Sequence, residues 1–220
     1  MPRHLIALLS LLATGAANAA ITYVDADPTT NTFDTATGSV NTSWYVSGSA
    51  TTDDGLWGYR NDVANGSTVL QGASFSSPSD PPLTTQISGL SDGTYDVWVF
   101  FWDAADSNQW EITAGLSGNP LVTYSFDGDG NTTAPVATST LSFTTSVLTT
   151  ESARVMYGVN LGQATVSGGS TIDVLIEQQG AGNLQRTWYD GVGYEAIPEP
   201  SVALLVGLGG LALLRRRRRD

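Results

Sequence analysis

Gly93-Thr94-Tyr95-Asp96-Val97-Trp98-Val99-Phe100-Phe101-Trp102 is the stretch that decides the fold. β-branched and aromatic residues fill it, and a Ser-Asp-Gly turn signal precedes it, which is the composition of a strand leaving a tight turn. Side chains alternate with a period of two. Tyr95, Val97, Val99 and Phe101 therefore share one face, and Asp96, Trp98, Phe100 and Trp102 share the other. A half-exposed strand alternates apolar with polar, whereas both faces here are apolar after Asp96. The second face is thus either covered by other elements or presents an aromatic stripe to solvent.

Working outward, the same signature recurs. Short runs of Val, Ile, Thr, Tyr, Phe and Trp alternate with clusters of Gly, Asn, Asp, Ser and Pro, and helical periodicity is nearly absent. Strands are expected near 21–25, 55–60, 67–75, 83–88, 93–102, 109–114, 120–126, 138–146, 152–160, 170–178 and 185–195. Many short strands at this spacing predict an all-β, antiparallel β-sandwich of jelly-roll-like form. The Thr-, Ser- and Asn-rich stretch from Ala26 to Thr52 is expected to be a long loop. If the second face of the 93–102 strand is open, Trp98 and Trp102, with Trp110 and the nearby Asp103, form a ligand surface. Aromatic faces suit the C–H faces of sugar rings, while carboxylates and amides bond the hydroxyls. If it is closed, the same tryptophans are core, with Trp57 and Trp110 filling out the packing.

Composition removes much chemistry. The chain of 220 residues has 9 Lys+Arg, all of them Arg, against 21 Asp+Glu, no Cys, and His4 as its one His. Catalysis by Ser–His–Asp or Cys–His, Schiff-base lysines, a Walker lysine and Cys/His zinc sites are excluded. Nucleic-acid binding is excluded as well, for want of cations to neutralise phosphate. Glycoside hydrolysis needs only two carboxylates; Glu111 beside Trp110 is a conceivable member of such a pair, but nothing selects its partner.

The two ends carry addresses. Arg3 and His4 precede the apolar run Leu5–Leu12, and Ala17-Asn18-Ala19 supplies the small-x-small pattern of signal peptidase, so residues 1–19 are expected to be a signal peptide cut after Ala19. At the other end Pro198-Glu199-Pro200 is followed by the apolar run Val202–Leu214 and then by Arg215, Arg216, Arg217, Arg218 and Arg219. Thirteen residues of helix cover only about 20 Å, short of a hydrocarbon core of roughly 30 Å. The arginines would stay cytoplasmic, so the short apolar helix is expected to lie in the membrane at least transiently. In its motif order this tail resembles the PEP-CTERM sorting signal of Gram-negative bacteria. That resemblance implies export, cleavage near the Pro-Glu-Pro triplet by a membrane enzyme of the exosortase type, and residence at the cell surface or in an extracellular matrix.

Residues 20–197 are left as one domain. Arg60, Arg154 and Arg186 are its only cations against nineteen acids, a net charge of −16, a field that repels polyanions and attracts cations such as Ca²⁺. Without Cys in an exported chain, stability must come from packing or bound metal. Gly89–Val99 and the closing run Arg186–Glu195 resemble strands of extracellular sandwich modules, the galactose-binding-like jelly rolls in particular, a group that includes many carbohydrate-binding modules. The resemblance implies a non-catalytic binding domain for extracellular polysaccharide; a purely structural or adhesive surface protein is the rival, and a carboxylate-pair hydrolase a distant third.

Acidic loops supply the metal candidates. Asp127, Asp129 and Asn131 place oxygens at the first, third and fifth positions of a glycine-rich loop, as Ca²⁺ prefers, though the EF-hand pattern fails at Thr132 and Thr138. Asp25-Asp27 and Asp53-Asp54 are further pairs, and a terminal Ca²⁺ site would require Asp25 and Asp190 to meet. Solvated turns are the plainer reading of such residues. Arg60 and Arg186 sit beside Tyr59 and Trp188's neighbour Thr187, placed to pair with buried acids or to stack on rings.

Overall fold

The computed structural model describes residues 20–38, 45–47, 55–60, 69–72, 80–104, 110–124, 134–151, 154–177 and 187–199. The predicted signal peptide, Pro200 and everything after it, and the loop holding Asp127, Asp129 and Asn131 lie outside them, as do Asp53-Asp54 and Arg186. Among the described residues no helix is long and apolar enough to cross a membrane.

Two sheets face each other. The smaller runs β2 (Thr32–Asp34), β6 (Leu83–Ile87), β13 (Ile172–Glu177), β8 (Ile112–Leu116), β9 (Val122–Tyr124). The larger runs β10 (Val136–Ala137), β12 (Arg154–Val166), β7 (Gly93–Ala104), β14 (Thr187–Ala196), β5 (Val69–Gly72), β4 (Trp57–Arg60), β3 (Tyr45–Ser47). Two further strands join it: β1 (Thr22–Asp25) pairs with β14 and β11 (Thr150–Glu151) with β12. Pairing is antiparallel except between β3 and β4. The chain is therefore the expected all-β sandwich.

Central position explains the two-sided apolar strands. β7 lies between β12 and β14 along nearly its whole length, so neither edge is open, and with both faces largely covered from Val97 to Trp102 the strand loses the apolar/polar alternation. Its inner face, Tyr95, Val97, Val99 and Phe101, packs on Ile112, Ala114, Val174 and Ile176 of the small sheet. Tyr189 closes this core and donates its hydroxyl to Thr85 Oγ1 at 2.6 Å.

Two expectations are corrected. The stretch Ala26–Thr52 is not simply a loop, since β2 and β3 lie in it; β2 is only three residues, Thr-Phe-Asp, too short to show a period. The strand expected at 138–146 is instead a 3₁₀ turn, Thr138–Thr140, followed by a strap without ladder pairing beyond a single bridge of Phe143 to Ile21. Ser and Thr at alternate positions imitate strand composition, but β-propensity records fit to a pleated surface rather than pairing itself. Thr138 Oγ1 donates to Met156 O at 2.8 Å, which directs the chain off the sheet edge and across its outer face.

Candidate functional site

The outer face of β7 is closed. Phe100 and Trp102 are fully buried, and Trp98 is half-buried. The cover is the strap, through Leu141, Phe143 and Val147, together with Ile21 and Tyr23 from the start of the described chain. Phe100 lies flat between two glycines of the flanking strands. A Cβ on Gly158 would stand 2.7 Å from one ring edge, and one on Gly193 2.8 Å from the other, distances no side chain tolerates. Tyr23 and Phe143 sit on the ring, with centroids at 5.7 and 5.6 Å.

This burial corrects the open aromatic platform. Trp102 has no ring face exposed, and Trp110, expected beside it, is only 5% exposed. The predicted set is nevertheless partly gathered in space: Trp102 and Trp110 share one apolar cluster, and the backbone N–H of Trp110 donates to Asp103 Oδ1 at 3.2 Å. Trp98 occupies the same cluster's margin. The cluster also holds Trp188, which sequence reasoning did not single out. Its Nε1 donates to Gln71 Oε1 at 3.0 Å, Trp110 meets it edge to face, and the Arg154 guanidinium lies 5.1 Å above its ring. Among the described residues Arg154 is thus a stacked cation; Arg186 and the Arg60 side chain, the expected candidates, lie outside the described residues. Asp103 also acts on Tyr157, whose hydroxyl is pushed above its ordinary pKa by burial first and by that carboxylate second. Glu111 is buried immediately before β8.

Asp25 and Asp190 both reach one hydroxyl, that of Tyr23. The Tyr23 hydroxyl lies 2.9 Å from Asp190 Oδ2 and 3.2 Å from Asp25 Oδ1. Asp190 occupies the β-bulge where the β7–β14 register slips between Tyr189 and Gly191, and the bulge turns its carboxylate toward β1. Burial, then the charges of Asp190 and Asp25, hold the Tyr23 phenol well above its ordinary pKa. Asp27 has a different role. Burial is the largest single influence and opposes ionisation, but the donors from Thr29 and Thr30 together outweigh it and lower its pKa, closing a tight turn. Among the described residues no group of three or more His, Cys, Asp or Glu could hold a metal ion.

A second surface is open. A cleft of about 380 Å³ lies where the outer edge of β12 faces the β8–β9 turn and the start of β13. Ser117, Asn119, Gln163, Thr165, Thr171 and Asp173 line it over Leu116 and Ile172. Hydroxyls and amides dominate, no cation is present in the lining, and no aromatic ring contributes. Nothing in composition marked this site, because its residues come from three elements and are individually ordinary. Beyond β14 the chain exits at the same end of the sandwich: Ile197 N–H donates to Thr94 O at 2.9 Å, and Pro198 and Glu199 are exposed.

No family model and no curated protein matches the sequence. Among solved structures, the chain is similar to the Podospora anserina GH26-CBM35 β-(1,4)-mannanase, with a TM-score of 0.36 and 16% identity over 69% of this chain and 28% of that one. It is similar also to a family GH115 4-O-methyl-α-glucuronidase with specificity for decorated arabinogalactans, with a TM-score of 0.31 and 9% identity over 67% of this chain and 17% of that one. The chain thus spans less than a third of the length of either protein.

Proposed function

We propose that this is an exported, exosortase-sorted surface or matrix protein whose β-sandwich binds carbohydrate without catalysis. The observation that carries the binding half is the open cleft at Ser117, Asn119, Gln163 and Thr165. Hydroxyls and amides make most of its donors and acceptors, with the Asp173 carboxylate among them, a set that can bond sugar hydroxyls, and Leu116 and Ile172 add a small apolar surface for ring C–H groups. The acidic field of the domain directs the choice toward uncharged polysaccharide. Sorting rests on the Pro198-Glu199-Pro200 triplet with its apolar run and arginines; the exposure of Pro198 and Glu199 is what a cutting enzyme requires.

Glycan-array binding by the exported chain, with Ca²⁺ and again with chelator, tests the first half. Selective, saturable binding that falls at least tenfold in Gln163→Ala and Thr165→Ala is expected. Binding that needs Ca²⁺ would implicate the acidic loops, and binding unaffected by either substitution would remove the cleft. For the second half, mass spectrometry of the mature C-terminus should find an end near Pro198–Pro200, and an intact Arg215–Arg219 run on surface-located protein would sink the sorting assignment. The burial of Trp102 and Trp110 favours one other reading, a structural or adhesive protein in which the aromatic residues are core. A blank array from a folded sample selects it.

A further inference from the structure

The outer face of β7 combines three features that an ordinary core layer does not. First, its cover lies outside the ladders. From Ser139 to Thr149 the strap is mainly Ser and Thr, with Leu141, Phe143 and Val147 turned inward and Leu148 exposed. Its ties include Ile21 N–H to Ser142 O, Thr144 N–H to Ile21 O, and Met156 N–H to Thr149 O, each at 2.9 Å, with Leu141 N–H bonding Thr138 O inside the turn. Second, the latch is near a chain end. Ile21 is 3% exposed and bridges Phe143, and a cut after Ala19 would make it the second residue of the mature protein, where fraying concentrates. Third, the buried indole N–H groups of Trp98 and Trp102 have no hydrogen-bond partner. Trp57 and Trp188, by contrast, donate to Pro81 O and Gln71 Oε1. Buried donors are nearly always paired, so these two call for acceptors that the protein's own groups do not supply, an internal water or a ligand.

We propose that residues 138–149 are a displaceable cover, latched by Ile21, over a ring-stacking surface made of Trp98, Phe100 and Trp102, and that the opened face takes an uncharged glycan chain. The rings supply the flat apolar surface and the two indole N–H groups supply donors to sugar oxygens. Local opening of this segment exposes the part of the face under Leu141, Phe143 and Val147 without disturbing the ladders of β7, while Tyr23, held in β1, stays on the Phe100 ring. This surface is separate from the open cleft and stands or falls independently of it.

Because the chain has no Cys, one disulfide can decide the matter. Ile21→Cys with Phe143→Cys joins two bridge partners, locking the cover when oxidised and freeing it when reduced. The exported chain is measured in both states by ¹⁵N-indole hydrogen exchange, with the Trp98 and Trp102 signals assigned by Trp98→Phe and Trp102→Phe, and by titration with cellohexaose and mannohexaose. Locking should slow both indole exchanges at least tenfold and weaken hexaose binding at least tenfold, and reduction should restore both. Ile21→Ala, which loosens the latch without a new bond, should accelerate exchange. Exchange unchanged in the locked protein and in Ile21→Ala would overturn the cover. Opening without any hexaose binding would overturn the glycan assignment. Binding that survives the lock but not Gln163→Ala would place the ligand in the cleft and overturn this surface alone.

Discussion

On the inner face of β7, Tyr95, Val97, Val99 and Phe101 meet a second sheet; on its outer face, Trp98, Phe100 and Trp102 meet a strap and the segment of Ile21 and Tyr23. Both faces are apolar, and Phe100 and Phe101 are equally buried. The closures differ in kind. The inner one is fixed by ladders on both sides, so its side chains interlock between two rigid layers. The outer one depends on Leu141, Phe143 and Val147 of a segment outside the ladders, with Ile21 and Tyr23 beside them. Burial alone therefore does not report how firmly a face is held.

Adjacent phenylalanines turn that contrast into numbers. Phe101→Ala opens a gap between sheets that cannot approach each other, and should cost about 3–5 kcal/mol. Phe100→Ala leaves a gap the strap can settle into, and should cost about 2–3 kcal/mol, since the penalty depends on how far a site collapses. Urea denaturation of the two variants measures the difference. Equal losses would mean that the strap is as unyielding as the small sheet.

Gly193→Ala probes the same ring from the side. Its Cβ would meet Phe100 and the latch residue Ile21, each at 2.8 Å, so Phe100, the latch or both must shift. A loss of about 1–3 kcal/mol is expected, with increased acrylamide quenching of tryptophan as the cover lifts. Destabilisation without added quenching would show that the ring moves while the cover stays shut.

How much of this was legible in the sequence follows from what each element depends on. The 93–102 strand was readable because period two and β-branched composition are local properties. That its second face is apolar was equally plain; what lies on it was not. The cover consists of residues 138–149 and Ile21, about 120 positions apart in the chain, and a Ser/Thr-rich strap imitates a strand. Trp102, Trp110 and Asp103 do converge, whereas Arg154 over Trp188 needed the pairing of β7 with both β12 and β14. The open cleft was invisible because no residue in it is unusual.

Alkaline titration separates the faces by a different route. Tyr23 belongs to the outer cover and Tyr189 to the inner core, and burial raises both pKa values; Asp190 and Asp25 add to the shift at each, while the hydrogen bond to Thr85 opposes it at Tyr189. A phenol whose folded pKa lies above the ordinary value of about 10 stabilises the fold fully below that pH. The contribution is lost as pH rises toward the folded pKa. Tyr23→Phe should therefore cost about 1–2 kcal/mol at neutral pH, through the lost donor to Asp190 and Asp25. It should also flatten the decline in melting temperature above pH 10. An unchanged alkaline slope would assign the whole decline to the inner face.

The smallest expected effect tests the orphan donors. Trp188→Phe removes an indole bonded to Gln71 and leaves a buried amide oxygen without that donor, for which about 1–2 kcal/mol is expected. Trp98→Phe removes an indole N–H with no partner. The relief of an unpaired donor offsets the lost apolar contact, and the net change should stay within about 0.5 kcal/mol. If Trp98→Phe proves as costly as Trp188→Phe, the Trp98 nitrogen has an acceptor in the free protein, most simply an internal water. The outer face would then be a satisfied core layer, and the contrast between the two sides of β7 would shrink to one of packing.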